Sequence, residues 1–223
     1  MSAEKPLFPF VTVDVALFTI EEQRLKVLLV KREEAPYAGC WALPGGALKP
    51  HLDGTLLDAV HRVMERKLSA SLPWVEEVCT FNGANRDPRG WSLSVLHMAL
   101  FPMDRIQAVA GLRVSEVKWA DAELSLEALA FDHRRVLERA VQHLRNSVER
   151  GALPLQMLPQ KFTLTQLQKT CEIVLGKSLD KSAFRRRLKE LHAGDIEEIE
   201  GEFERGVQRP AQLWKAVKAM LIK

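Results

Sequence analysis

A change of pattern at residues 151–161 limits the folds that this chain of 223 residues can adopt. The segment reads GALPLQMLPQK, contains two prolines and lacks a clear helical or strand periodicity, which is typical of a linker. Residues 1–150 mix short apolar strands with helices, whereas residues 162–223 follow the order helix, helix, hairpin. We therefore expect an α+β protein with two domains, 1–150 and 162–223, joined by a linker at 151–161.

The first domain has the apolar spacing of several strands and two helices. Apolar residues alternate from Val11 to Leu17, which is the period of a half-buried strand. WALPGG predicts a short strand that ends in a turn at Gly45-Gly46, and Gly151 is expected to end the last helix. The other predicted elements are strands at 25–32, 75–81, 91–101 and 114–119, and helices at 55–68 and 124–149.

Composition restricts the class of protein further. With 47% apolar and 27% charged residues, the chain has the composition of a soluble globular protein, and its apolar runs are too short to cross a membrane. Its three cysteines form no C-x-x-C pair, so we expect reduced thiols, a cytoplasmic location and no zinc site. The net charge is +3, but residues 151–223 contain 13 Lys and Arg against 9 Asp and Glu. This basic C-terminal part favours a nucleic-acid partner.

The segment WALPGGALKP, followed by a helix, resembles the start of the Nudix box, G-x5-E-x7-R-E-U-x-E-E-x-G-U, where U is a bulky aliphatic residue. In that family the glutamates hold magnesium against a substrate pyrophosphate. When Gly46 and Arg62 are matched to the box, Val63, Arg66 and Lys67 stand where the family has its metal-binding glutamates. The resemblance implies an α/β/α sandwich over about residues 8–150.

Matching both Gly46 and Arg62 to the box requires two extra residues in the loop, around His51-Leu52. The register without this insertion is no more favourable to catalysis, because it places His61, Met64 and Glu65 at the three metal-binding positions and so offers one carboxylate. One carboxylate does not make a magnesium site, so we expect no catalytic or metal-binding residue. Arg62, Arg66 and Lys67 would instead supply positive charge to a bound pyrophosphate.

A second motif narrows the resemblance within the Nudix family. Residues 80–100, TFNGANRDPRGWSLSVLHMAL, are similar to a pattern shared by ADP-ribose pyrophosphatases and by the Nudix-related transcriptional regulators of NAD metabolism, the NrtR family. Residues 131–145 resemble the helix that closes the domain in those regulators. The resemblance implies a nucleotide-binding site that includes Gly45, Gly46, Arg62, Arg66, Lys67, Arg86 and Arg89.

The second domain has the pattern of a helix-turn-helix. Thr163 and Gln166 are spaced as a capping box, Gly176 is placed to end the first helix, and Asp180 is placed to cap the second. Phe184, Leu188 and Leu191 form the expected apolar stripe of that second helix. Lys181, Ser182, Arg185, Arg186 and Lys189 lie away from that stripe, where they would contact base edges or phosphates in the major groove.

The hairpin after the second helix predicts a winged helix. LDKSAFRRRLKEL and RPAQLW resemble tracts of the same regulators, with Trp214 in place of their usual tyrosine. Six acidic residues between Asp195 and Glu204 make the wing region acidic, so Arg205 and Arg209 are the expected backbone contacts there.

The resemblance implies a transcriptional regulator, a repressor of NAD biosynthesis or salvage genes. It would bind a palindromic DNA operator as a homodimer and ADP-ribose or a related NAD metabolite as effector, with no required cofactor. We expect the effector to disfavour the operator-bound arrangement, although the patterns leave the direction open. Two alternatives stay open: a Nudix hydrolase that acts on ADP-ribose, and a scaffold with a vestigial pocket.

Overall fold

The first domain of the computed structural model is an α/β/α sandwich. The structure describes residues 8–68, 72, 74–102, 114–123, 129–204 and 210–217. One sheet has the strand order β3-β2-β1-β6-β5, with β4 paired to β1 and β7 paired to β2. The long strands β1 and β6 run parallel, and the other pairs are antiparallel. The strands are β1 Phe10–Glu21, β2 Arg24–Arg32, β3 Trp41–Ala42, β4 Gly45–Ala47, β5 Glu76–Gly83, β6 Ser92–Leu100 and β7 Val114–Asp121.

The alternation of β1 places one helix on each face of this sheet. Val13, Val15 and Leu17 pack in the apolar cluster that contains Val60 and Met64 of helix α1, Leu56–Leu68. Ala16 and Phe18, which point to the opposite face, pack in the cluster that contains helix α2, His133–Arg150. The expected sandwich is confirmed.

Two local predictions in this domain are wrong. Gly45 and Gly46 do not form a turn, because both lie in β4 and pair with Asp14 and Val13 of β1. The closing helix begins at His133, well after residue 124. The backbone before it is held by the Ala130 N–H, which donates to Trp41 O at 2.8 Å, and Phe131 has a positive φ of 55°. Residues 124–128 lie outside the described residues, and the helix ends as expected at Gly151 in a left-handed conformation.

The second domain is a winged helix-turn-helix, as predicted. Thr163 and Gln166 form the capping box of α3, Gly176 ends that helix with φ 66°, and Asp180 caps α4 by accepting from Ala183 N at 2.7 Å. The prediction for Leu191 is wrong, because its side chain is 63% exposed at the end of α4. A third strand, β8, completes a sheet of order β8-β10-β9. These elements are β8 Phe162–Thr163, α3 Leu164–Leu175, α4 Lys181–Leu191, β9 Ile196–Glu204 and β10 Ala211–Ala216.

The segment expected to be a linker packs against both domains. Leu153, Leu155, Met157 and Leu158 are buried, and they share one apolar cluster with residues of α2 and α3. A short 3-10 helix covers Leu155–Met157. The two domains are therefore joined through a packed apolar contact, although the limits 151–161 themselves stay a prediction. Within the described part of the chain, no helix is both long and apolar enough to span a bilayer.

Candidate nucleotide cavity and DNA-binding face

A cavity of about 290 Å³ opens where β1 and β4 meet residues 86–90 and the start of α2. Three arginines line it, namely Arg32, Arg86 and Arg89, and we refer to it as the arginine cavity. Gly45 and Gly46 form part of its wall. Its other polar and aromatic lining residues are Phe10, Thr12, Asp14, Glu34, Asp87, Phe131 and His133.

Ion pairs hold two of these arginines in fixed orientations. Arg86 donates from Nε and Nη2 to Asp132 at 3.1 and 2.8 Å, and its side chain is only 9% exposed. Arg89 donates in the same way to Asp87 and lies 4.3 Å from the Phe10 ring centroid. Since a guanidinium has five N–H donors and each pair uses two nitrogens, both arginines keep donors for a further acceptor.

Arg32 brings a third positive charge to the same wall. Its Nε donates to Pro36 O at 2.8 Å, and its guanidinium lies 4.9 Å from the Phe131 ring centroid. Burial lowers the pKa of Arg32, and the positive charge of Arg89 lowers it further. Since like charges crowd here, a bound anion would relieve their repulsion.

The floor of the cavity is a buried polar network. The Leu43 N–H donates to His133 Nδ1 at 2.9 Å, so Nε2 carries the hydrogen of the neutral ring and faces Asp14 Oδ1 at 3.5 Å. The Ser94 hydroxyl donates to Asp14 Oδ2. Burial lowers the pKa of His133, which keeps the imidazole neutral. This network fixes the relative positions of β1, β6 and α2 beneath the arginines.

The two glycines allow close packing in this wall. A Cβ on Gly45 would lie 2.2 Å from Asp14 Oδ1 and 2.8 Å from Val13 O. A Cβ on Gly46 would lie 2.9 Å from Cγ2 of Val63, whose side chain is 3% exposed on α1. The glycine pair is therefore required by close packing and not by a turn.

The basic residues of α1 are placed differently from those of the cavity. Arg62 donates from Nε and Nη2 to the buried Asp53 at 2.6 Å each, and also to Ala47 O at 2.9 Å. The Arg62 hydrogen bond lowers the pKa of Asp53 to about 2, so the pair ties α1 to the preceding loop. Arg66 is exposed, and neither Arg62 nor Arg66 lines the arginine cavity. Lys67 belongs to α1, but its side chain lies outside the described residues.

The described cavity residues offer few free carboxylate oxygens to the magnesium ion that a Nudix hydrolase uses. Within the described residues, no three His, Cys, Asp or Glu side chains come together as a metal site. Of the three carboxylates in the lining, Asp14 accepts from Ser94 and Asp87 accepts from Arg89, and Glu34 is the third. A hard divalent cation needs several free carboxylate oxygens, and the positive side chains here would oppose it.

Several cavity residues were not singled out from the sequence. Asp14, Arg32, Phe131 and His133 come from three distant segments, and only the fold brings them together. Asp14 carried only a partial signal, because it shares one face of the strand with Ala16 and Phe18 but also with the polar Thr12.

The basic residues of α4 divide into an exposed group and one half-buried side chain. Lys181, Ser182, Arg186 and Lys189 are exposed, and the last three lie on the side of the helix opposite the buried Phe184. Arg185 is half-buried, its Nε has no hydrogen-bond partner within the described residues, and burial lowers its pKa. Because this Nε is itself buried, a phosphate contact of Arg185 would have to use the other two guanidinium nitrogens.

Ion pairs offset part of the negative charge of β9, the acidic strand of the wing. Glu197 pairs with Lys215 at 2.8 Å, and Glu202 pairs with Lys161. Asp195 contacts His192 Nδ1 at 2.7 Å. Part of the negative charge that would repel DNA is thereby offset within the domain, while Arg205 and Arg209 lie outside the described residues.

Known proteins share both parts of this arrangement. A family model described as the NrtR DNA-binding winged helix domain matches residues 154–216. The chain is 40% identical over 209 residues to the ADPR responsive transcriptional repressor NtrR of Acinetobacter baylyi, covering 93% of this chain and 82% of the relative. It is also similar to the crystal structure of Shewanella oneidensis NrtR complexed with a 27mer DNA, with a TM-score of 0.80, 36% identity, and coverage of 92% of this chain and 93% of that one.

The first domain has its own structural counterpart. The NUDIX domain of Shewanella oneidensis NrtR, solved in complex with ADP ribose, is 39% identical, with a TM-score of 0.57, over 62% of this chain and 90% of that chain. The fold and its two candidate sites thus define a two-domain protein in which a Nudix-type sandwich precedes a winged helix-turn-helix. The chain belongs to the NrtR family.

Proposed function

We propose that this protein is a cytoplasmic DNA-binding transcriptional repressor of genes for NAD biosynthesis or salvage, controlled by ADP-ribose or a related NAD metabolite. The observation that carries the proposal is that one chain holds both an arginine-lined cavity and an exposed basic helix, α4. The relatives described above support it, since one is named an ADPR-responsive repressor and another was crystallised with DNA.

The arginine cavity suits the pyrophosphate of such an effector. Arg32, Arg86 and Arg89 bring N–H donors to this cavity, and guanidinium groups pair well with phosphate oxygens. Gly45 and Gly46 line the same cavity and present only backbone atoms to it. We place the main ligand contacts on these five residues and give Arg62 a supporting role, because its guanidinium is held by Asp53.

We infer that the chain binds its nucleotide without hydrolysing it. Val63, at the first glutamate place of the Nudix box, is buried against Gly46 and has no oxygen to offer a metal. Arg66 and Lys67 occupy the other two places with positive charge. A protein that senses a nucleotide needs it intact, and these replacements remove the metal-dependent route.

Helix α2 supplies a connection between the two sites. Its first turn adjoins the Arg86–Asp132 pair in the arginine cavity, and its last turn contacts the second domain through Glu149, which pairs with Lys177 at 2.8 Å. We propose that the protein binds a palindromic operator as a homodimer, with winged helices, residues 162–223, spaced by a whole number of DNA turns. The effector would act by binding more tightly to a different spacing.

Titration calorimetry with ADP-ribose tests the sensor half of this proposal. We expect similar affinity in EDTA and in magnesium, weakening as salt rises, with ADP-ribose intact for hours by chromatography. Steady AMP release with Mg²⁺ or Mn²⁺ would establish the hydrolase alternative. Failure to bind ADP-ribose, NAD or phosphoribosyl pyrophosphate would favour a scaffold.

The double variant Arg66→Glu plus Lys67→Glu separates the two groups of cations. Arg66 is exposed and outside the cavity wall, so we expect this variant to weaken ADP-ribose binding by only about two- to fivefold. A loss as large as that caused by replacing Arg89 would place the main ligand contacts on α1.

A further inference from the structure

A second cavity lies where α2, residues 151–153 and the helix-turn-helix meet, and we name it the junction cavity. Its volume is about 330 Å³, and it shares no lining residue with the arginine cavity. Leu153, Leu175, Phe184 and Leu188 give it an apolar wall, and three of these four side chains are buried. None of the residues proposed above to contact nucleotide or DNA lines this space.

One end of the junction cavity carries nitrogen groups in excess of acidic ones. Arg187 Nη2 donates to Glu149 O at 3.1 Å, and Lys177 Nζ lies 2.8 Å from the Glu149 carboxylate. His192 also lines the cavity, and its Nε2 would lie 3.9 Å from a Cβ placed on Gly151. Lys177 pairs with the Glu149 carboxylate and His192 with the Asp195 carboxylate. Within the described residues the Arg187 guanidinium has only the backbone oxygen of Glu149 as partner, so its positive charge is left to attract an anion at this end.

The opposite wall stays neutral and apolar. Cys171 lines the cavity from α3, and burial raises the pKa of its thiol to about 12. A protonated, buried thiol behaves as a small apolar group. The cavity therefore combines a basic end with an apolar body.

We propose that the junction cavity binds a small apolar carboxylate, with its carboxyl group among Lys177, Arg187 and His192 and its hydrocarbon part against Leu175 and Phe184. A methylene group fills about the volume of a water molecule, roughly 30 Å³, so the space suits a body of about eight to ten carbons. Val148 and Glu149 of α2 line the same cavity as Phe184 and Leu188 of α4, so a ligand there lies at the joint between the sensor and the DNA-binding domain.

Titration calorimetry with the full chain tests this proposal, with octanoate as the probe and octanol as its uncharged match. We expect one octanoate per chain, bound at least about fivefold more tightly than octanol. Leu175→Trp fills the cavity and should weaken octanoate binding at least about tenfold. Lys177→Gln should weaken it about two- to fivefold, as expected for an exposed ion pair. Lys169→Gln, an exposed lysine of α3 outside the lining, should leave it unchanged.

Urea unfolding of each variant confirms that it is folded, and Ala152→Leu provides a second way to fill the cavity if Leu175→Trp does not fold. The proposal is overturned if octanoate gives no saturable binding. It is also overturned if octanol binds as tightly, or if the folded cavity-filling variants bind octanoate like the unaltered chain.

Discussion

The close approach of Gly46 to Val63 allows a quantitative test of whether packing requires a glycine at this position of the Nudix box. Gly46→Ala introduces a Cβ at 2.9 Å from Val63 Cγ2, which is closer than carbon atoms normally approach. The glycine lies in β4 and has no positive φ, so backbone conformation does not oppose alanine. The cost therefore comes from overpacking against a buried side chain, and we expect the free energy of unfolding to fall by about 1–3 kcal/mol.

Val63→Ala provides the second half of a double-mutant cycle. It removes two methyl groups from a side chain that is 3% exposed, which should cost about 2 kcal/mol at roughly 0.8 kcal/mol for each buried carbon plus the cavity left behind. In the double variant the alanine at position 46 occupies part of the vacated space. We expect the double variant to be more stable than the sum of the single effects predicts by about 1–2 kcal/mol.

Equilibrium urea unfolding, followed by circular dichroism and tryptophan fluorescence, measures the cycle. Gly194→Ala is the matched control, because a Cβ there meets nothing within 4 Å, and we expect a change within about 0.5 kcal/mol. If the effects of Gly46→Ala and Val63→Ala add within about 0.5 kcal/mol, the two side chains do not compete for space. The argument that close packing requires Gly46 would then fail.

Three further predictions concern DNA, effector and pH. Arg186→Ala should weaken operator binding by about 1–3 kcal/mol if the side chain contacts a base. If it contacts a phosphate instead, the variant should bind all DNA sequences more weakly by the same factor, with a salt slope smaller by about one. Fluorescence anisotropy over a salt series distinguishes the two kinds of contact. Arg89→Gln should weaken ADP-ribose binding about tenfold in calorimetry, because a half-exposed guanidinium loses a charge-assisted bond to phosphate. Arg62 lowers the pKa of Asp53 to about 2, so the stability that this pair contributes should be complete above about pH 4 and be lost as the pH falls towards 2. Urea unfolding at a series of pH values should show this loss of stability, and the loss should be smaller in Arg62→Gln.

Each of these three predictions has a control variant or a result that would contradict it. Lys169→Ala, on an exposed position of α3, should leave operator affinity unchanged, and an equal loss there would remove the special role of α4. Unchanged ADP-ribose affinity in Arg89→Gln would exclude that guanidinium as a phosphate ligand. An Arg62→Gln protein whose stability keeps the full acid dependence would show that Asp53 is not its source.

Local signals were sufficient to predict the helix ends of the second domain. Thr163, Gly176 and Asp180 act as predicted because capping depends on a few neighbouring residues and on backbone conformation. Helix α1 begins within one residue of its predicted start for the same reason. The periodic pattern gave a wrong prediction at Leu191. The apolar spacing of α4 continues to this residue, but no other described part of the second domain covers its side chain at the end of the helix.

The arginine cavity was predicted only in part. Arg86 and Arg89 follow from the motif, but Asp14, Arg32 and His133 join them only through sheet pairing and the placement of α2. Arg62 is the opposite case. Its charge was predicted to face the ligand, but its guanidinium forms an ion pair with Asp53 in the loop that precedes α1. Side-chain partners of this kind depend on tertiary geometry, which spacing along the chain does not encode.

We proposed above that ADP-ribose and DNA binding are coupled through one protein, and a single titration tests this coupling most directly. DNA enriched from a random pool by the immobilised protein is labelled, and its affinity is measured by fluorescence anisotropy in EDTA with and without saturating ADP-ribose. We predict a two-fold symmetric sequence whose affinity changes at least about fivefold with ADP-ribose, the lower end of typical allosteric coupling. Equal affinities with and without bound ADP-ribose, or no enriched sequence at all, would contradict the account.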